Sequence, residues 1–336
     1  MQNLIDPAIL FFVFGVLAGA LKSNLEIPPA ISKFLSLYLL MALGLKGGFA
    51  LAHSGLGAEV MVSLGAAMLM AFVVPALGYQ LLKNRVSRFD AAAIAASYGS
   101  VSAVTFVTAM QYLEANQMSP GGHMAVALVI MESPAIVMAV LLANALRHAQ
   151  VRGVTVSSSG GAATATFGEP HSAPSLRKIL HESFTDGAHL LLLGAMAVGY
   201  LSGDAGKAVM APFSSDLFKG MLAFFLLDMG LLTARNLGQV RQQSPWLVGY
   251  ALLAPLAHAG LALALAWALG IGVGDATLLM VLAASASYIA VPAVLRHAIP
   301  EAQPALYFGM SLGVTFPFNI LLGIPLYAAL AQYALN

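Results

Sequence analysis

The chain has 336 residues, 60% of them hydrophobic and only 9% charged, with a net charge of +1 and no cysteine. A soluble domain carries about 25% charged residues, so this composition excludes an ordinary water-soluble fold. The missing cysteines exclude disulfides, thiolate metal sites and cysteine nucleophiles. Uncharged runs such as Ala91 to Leu113, Gln242 to Gly274 and everything after Glu301 reach or exceed the ~20 apolar residues a spanning helix needs. Backbone groups in lipid must be paired within the span or within a closed barrel. The weak alternating segments of a barrel do not occur, which leaves an all-α integral membrane protein.

In chain order, hydrophobic runs and breaks predict ten spans: 7–22, 30–51, 59–82, 90–112, 120–147, 187–203, 216–234, 246–270, 275–296 and 303–333. The first lacks a basic start and an A-x-A exit, and reads as a retained helix rather than a cleaved signal. With the N-terminus outside, twelve of the 15 Lys and Arg fall at inward-facing connections, and only Lys46, Lys207 and Lys219 fall outward. That bias predicts both termini outside and an even number of spans. Lys46, near a span end, reads as a side chain that snorkels outwards. Residues 150–176, which include VRGVTVSSSGGAATATFGEPHSAPS, are rich in Ser, Gly, Thr and Pro. They read as a flexible cytoplasmic linker, either an inert tether or a docking segment. It separates a first five-helix unit, 1–149, from a second, 177–336.

The two units resemble each other. SKFLSLYLLMALGLK (Ser32–Lys46) matches FKGMLAFFLLDMGLL (Phe218–Leu232) at a constant shift of 186, and AASYGSVSAV (Ala95–Val104) matches AASASYIAVP (Ala283–Pro292). The fifth and tenth spans each carry a central proline, Pro134 and Pro317. Five spans per unit invert the second unit relative to the first, the plan of secondary transporters with midplane sites at interrupted helices. Serines, glycine and proline within spans four and nine mark the interruptions. Pro292 lacks an N–H and its ring clashes with the preceding turn. A half-helix start offers N–H groups to an anion, and freed carbonyls suit a cation. The candidate substrate residues are therefore Ser97, Tyr98, Gly99, Ser100, Ser102, Ser285, Ser287 and Tyr288. Small residues that only let helices pack closely are the plainer reading of the same pattern.

Ionisable groups in the spans are few. Glu132 in IMESPAI and Asp228 in FLLDMGL lie deep, where a charge costs roughly 2.5–3.5 kcal/mol on the gentlest scale and usually faces a cavity or a partner. They are candidates for a cation site or proton relay, or for a structural hydrogen bond. Thr315 and Asn319 flank Pro317 and, with Thr105 and Ser287, could offer hard oxygens to Na⁺. The eight histidines show no zinc spacing, and His258, inside a span, reads as a packing residue. H-E-x-x-H, a pair of deep aspartates and a P-loop are all missing, which argues against an enzyme and against ATP drive. No basic aromatic surface for nucleic acid occurs, and no cofactor is expected.

AASYGSVSAVTF, LAASASYIAVPAVLR and GVTFPFNI resemble signatures of the cyanobacterial-type sodium-dependent bicarbonate transporter family, and the similarity extends over all ten spans. The resemblance implies a Na⁺/HCO₃⁻ symporter of the bacterial inner membrane, homotrimeric, with an elevator-like core. It implies inhibition from inside by a cytosolic nucleotide-sensing protein similar to the PII proteins. It also implies that the two serine clusters line the anion and cation sites, with Thr105, Thr315, Asn319, Asp228 and Glu132 supporting Na⁺. A neutral polar pocket would suit another small anion or carboxylate equally, with proton or sodium coupling. An anion channel is the alternative of a different class.

Overall fold

A computed structural model describes residues 6–55, 57–156 and 187–336, and every regular element among them is helical. Seven helical stretches are long and apolar enough to cross a membrane. The helices are α1 (Pro7–Ala20), α2 (Pro29–Ser54), α3 (Ala58–Leu82), α4 (Arg88–Gly99), α5 (Ala103–Ala115) and α6 (Met124–Val156), followed by α7 (Gly187–Ala211), α8 (Phe218–Val240), α9 (Pro245–Leu269), α10 (Val273–Ala284), α11 (Ala290–Ala298) and α12 (Pro304–Leu335). Expected spans four and nine are each two short helices, α4 with α5 and α10 with α11. The expected linker overlaps the end of α6, which continues to Val156. Its remainder, 157–176, lies outside the described residues.

Local chemistry sets many of the ends. Proline opens α1, α2, α9 and α12, where its missing N–H would have no helical partner anyway. Asp6 caps α1 by accepting the Ala8 N–H at 2.8 Å, and Ser87 and Ser244 cap α4 and α9 in the same way. Gly203, in α7, adopts φ 53 and ψ −142, conformations open to glycine; the sequence placed a span end there. In α12, Pro317 has no N–H, and two π-helical turns, Ser311–Thr315 and Asn319–Gly323, flank it.

The helices fall into two packing groups. α1 lies along α8 and α2 along α7. These pairs approach closely through glycine: a methyl on Gly48 would sit 2.9 Å from Gly199 Cα, and one on Gly230 would sit 3.0 Å from Gly15 Cα. Such small-residue contacts are the usual way helices associate in lipid. The broken helices instead pack among α3, α6, α9 and α12. In the most apolar window of Arg88–Ala115, 94% of residues are buried, against 33% in α9. The opened backbone is thus wrapped in protein, as lipid requires, whereas α9 turns an apolar face outward. The chain's two tryptophans, Trp246 and Trp267, stand at the two ends of α9, about 31 Å apart at 1.5 Å per residue. That matches the thickness of a hydrocarbon core and the interfacial preference of tryptophan.

Two aspartates tie the broken helices to their neighbours. Asp90, in the first turn of α4, accepts the Gln303 N–H at the head of α12 at 2.7 Å. Asp275, in the first turn of α10, accepts the Gly121 N–H just before α6 at 2.6 Å.

Candidate substrate site at the crossing of two broken helices

The breaks at 100–102 and 285–289 meet. The Ser287 N–H donates to the Ser97 carbonyl at 2.7 Å, and the Ser102 N–H donates to Ser285 Oγ at 3.0 Å. The outgoing half-helix α5 starts on serine. Ser102 Oγ accepts from the Thr105 N–H at 3.2 Å and from Thr105 Oγ1 at 3.0 Å, which makes it the cap of α5. α11 is capped by Ile289 without a side-chain bond, and Ser287, two residues earlier, accepts from the Val291 N–H at 3.3 Å.

A cavity of about 390 Å³ opens beside the crossing. Val101 to Val104 and Ser287 to Ala290 line it, so the N-terminal turns of α5 and α11 converge on one space. Two positive helix ends aimed together favour an anion. Among the described residues no Lys or Arg lines the cavity. Ser97 Oγ and Ser100 Oγ, in the same break, are buried and have no hydrogen-bond partner among the described residues. Buried hydroxyls are ordinarily paired; these two stand in the crossing and not in the lining of the cavity.

Glu132 of α6 lines this cavity and bonds His189 of α7, which also lines it. Both side chains are half-buried and bridge the two packing groups. The sequence picked out Glu132 but missed His189, because His189 begins an apolar helix directly after the linker and carries no spacing signal. Ser36 of α2, also lining the cavity, was missed as well.

Of the anticipated site residues, Ser102, Ser287, Tyr288 and Glu132 share the cavity. Ser97, Ser100 and Ser285 stand in the crossing itself. Gly99 packs on Pro75 of α3: a methyl there would lie 2.5 Å from Pro75 Cβ and 2.7 Å from Cγ and Cδ. Tyr98 bonds Thr315 Oγ1 at 2.7 Å, and Thr315 Oγ1 also donates to the Ala251 carbonyl at 2.8 Å. Asn319 Nδ2 donates to the Ala284 carbonyl at 2.9 Å, pairing an acceptor freed where α10 ends, and its Oδ1 accepts from Tyr327 at 2.9 Å. Asp228 sits on α8 and accepts from Ser32 Oγ at 2.5 Å. Among the described residues no hydrogen bond joins Asp228 to Glu132, Thr315 or Asn319. The anticipated sodium ligands are therefore spread over the crossing, α12 and the α1–α8 group. Lys46, expected to snorkel outwards, is paired: its Nζ lies 2.9 Å from Glu114 Oε2 and 4.3 Å from the Phe218 ring centroid.

Comparison with known proteins agrees with this architecture. Residues 7–332 match the family model of the Na⁺-dependent bicarbonate transporter superfamily. The chain belongs to that superfamily. No curated protein matches it at a significant level. The match covers both broken helices, both packing groups and the paired glycines, so the crossing and its cavity belong to a multi-pass sodium-dependent bicarbonate transporter.

Proposed function

We propose that the protein is a secondary symporter that carries bicarbonate into the cell with Na⁺, by elevator-like movement of the broken-helix group against the α1–α8 and α2–α7 pairs. The observation that carries this reading is the convergence of two half-helix starts on one cavity without a Lys or Arg among the described residues of its wall. Bicarbonate is small, planar and singly charged. Backbone N–H groups, helix ends and serine hydroxyls, together with Na⁺, meet its charge and its hydroxyl without a fixed cation.

Alternating access is supported by where the cavity lies. Ser36, Leu40, His189 and Leu192 belong to one packing group, and α5, α6 and α11 belong to the other. An inverted repeat of ten spans is supported by the shift of 186 and by the exchange of partners, α1 with α8 and α2 with α7. The matching roles of Asp90 and Asp275, each holding the head of the other unit's last long helix, add further support. In this reading both termini face outside, the membrane is the bacterial inner membrane, and the functional unit is a trimer blocked from inside by a PII-like protein. Ser97, Ser100, Ser102, Ser285, Ser287 and Tyr288 serve the anion. Ser287, Thr105, Thr315, Asn319, Asp228 and Glu132 serve Na⁺.

A tenfold Na⁺ gradient supplies about 1.4 kcal/mol, enough for about tenfold accumulation at one ion per bicarbonate. The test is uptake of ¹⁴C-bicarbonate into proteoliposomes under an inward Na⁺ gradient against an equal K⁺ gradient. Saturable uptake only with Na⁺ is expected. Equal uptake in both, with folded protein, would reject sodium coupling and turn attention to a proton-coupled carrier of small anions. Large non-saturating currents would indicate a channel.

A further inference from the structure

A second cavity, of about 340 Å³, lies at the other end of α5. Val104 lines the first cavity and Thr108 the second. They are one turn apart on the same helix, about 6 Å at 1.5 Å per residue. Tyr288, in the wall of the first cavity, packs on Phe316 with ring centroids 5.1 Å apart, and Phe316 packs at 5.6 Å on Phe12, which follows Ala8 and Ile9 of the second cavity on α1. The second cavity also lies between the packing groups, with Ala8, Ile9 and Leu222 on one side and α5 and α12 on the other.

Its polar chemistry differs from that of the first cavity. Thr108 spends its hydroxyl hydrogen on the Val104 carbonyl at 2.9 Å, leaving lone pairs. Asn116 spends Nδ2 on the Tyr112 carbonyl at 2.8 Å, leaving Oδ1. Asp6 adds a carboxylate whose Oδ1 caps α1. Gln111 is 6% exposed, and its buried Oε1 has no donor among the described residues. In the π-helical turn of α12 the Ile324 N–H bonds the Asn319 carbonyl. The next donor in that register falls at Pro325, which has none, so the Ile320 carbonyl at the cavity edge has no donor five residues on. All five residues line the cavity, and each brings an oxygen acceptor to it. A hard monovalent cation takes such ligands; an anion does not.

We propose that this second cavity is a binding site for a hard monovalent cation, built on Gln111 and Asp6, from which the ion reaches the crossing one helical turn away. That the cation is sodium rests on the symport reading above. The site does not coincide with the crossing and needs none of its serines.

The test is thermal unfolding of the purified full chain, titrated with NaCl replacing choline chloride at constant ionic strength. A ligand that binds the folded state raises stability in proportion to its occupancy. Wild type is compared with Gln111→Leu and Asp6→Asn. The leucine removes an unpaired buried carbonyl, so folding should be retained, and asparagine keeps the α1 cap. The half-stabilising Na⁺ concentration should rise at least fivefold in each variant. Gln111→Glu, which adds charge, should lower it. An unchanged Na⁺ response in both substitutions, or no response in wild type, overturns the site. Bicarbonate uptake measured in parallel separates the two readings. A fivefold shift in stabilisation with Na⁺-indifferent uptake keeps the cation site and removes the symport. Na⁺-dependent uptake with unshifted stabilisation does the reverse.

Discussion

At the scale of single residues, the site is made from hydroxyls that already have structural duties and hydroxyls that have none. Ser102 caps α5 and Ser287 accepts a backbone N–H of α11, so their removal would disturb these helix starts as well as alter binding. Ser97 and Ser100 carry buried hydroxyls without partners, so they report on ligand binding more cleanly. Glu132 and His189 form a pair in the cavity wall that bridges the packing groups. His189→Leu would leave a half-buried carboxylate without this partner and should cost ~1 kcal/mol. Glu132→Gln, which keeps a hydrogen-bonding group, should cost less. Chemical or thermal unfolding of the two variants checks the order; the reverse order would place the cost on the histidine side. Glu132 was visible in the sequence as a charge out of place. His189, Asp90 and Asp275 were not. An acid in the first turn of a helix is common for dipole reasons alone, and the partners of both aspartates lie far away in the chain.

At the scale of elements, the broken helices follow from composition. Serine, glycine and proline in an otherwise lipid-compatible run predict an interruption, and both interruptions stand where they were placed. That the breaks touch was not legible, because the Ser287 to Ser97 bond joins residues of different units. The same limit applied to Thr315 and Asn319. Their polarity inside a span was plain, but their partners, Tyr98, Ala251, Ala284 and Tyr327, are set by how α12 packs. The resemblance of Gly44 to Gly230 in the sequence corresponds to two close helix contacts, one in each half of the exchange between pairs. Gly99 is the residue on which one break depends most directly. Gly99→Ala forces a methyl into the Pro75 ring and should destabilise the protein by ~1–3 kcal/mol, as overpacking does. A neutral Gly99→Ala in a thermal unfolding assay would show that α3 and α4 can part without cost.

At the scale of the whole molecule, an ion pair joins the end of one long helix to the segment before another. Arg147 at the end of the α6 membrane stretch forks onto Glu301, with Nε and Nη2 each 2.7 Å from a carboxylate oxygen, and also holds the Ala298 carbonyl at 3.0 Å. The guanidinium holds the Glu301 carboxyl below its ordinary value of 4.5. A depressed carboxyl contributes stability that is present above its unfolded value and lost as pH falls through its folded value. Glu301→Gln should therefore be less stable than wild type at neutral pH, by ~0.5 kcal/mol once solvent screening is allowed for. The difference should vanish as the pH falls well below 4.5. A difference that grew on acidification would assign the stabilisation to another group. The all-helical membrane class was legible from hydropathy and charge. The two cavities were not, because each is assembled from α5 and helices of both units.

The most direct test of the crossing as the carrier site is the kinetics of Na⁺-driven bicarbonate uptake by the Ser97→Ala/Ser100→Ala protein in proteoliposomes. Both substitutions remove hydroxyls that pair with nothing among the described residues, so the protein should fold and reach the membrane as wild type does. Losing two hydrogen bonds to a charged ligand at roughly 1.5 kcal/mol or more each should raise the half-saturating bicarbonate concentration at least tenfold. Wild-type kinetics in this variant would contradict the account and move the anion away from the crossing of the broken helices.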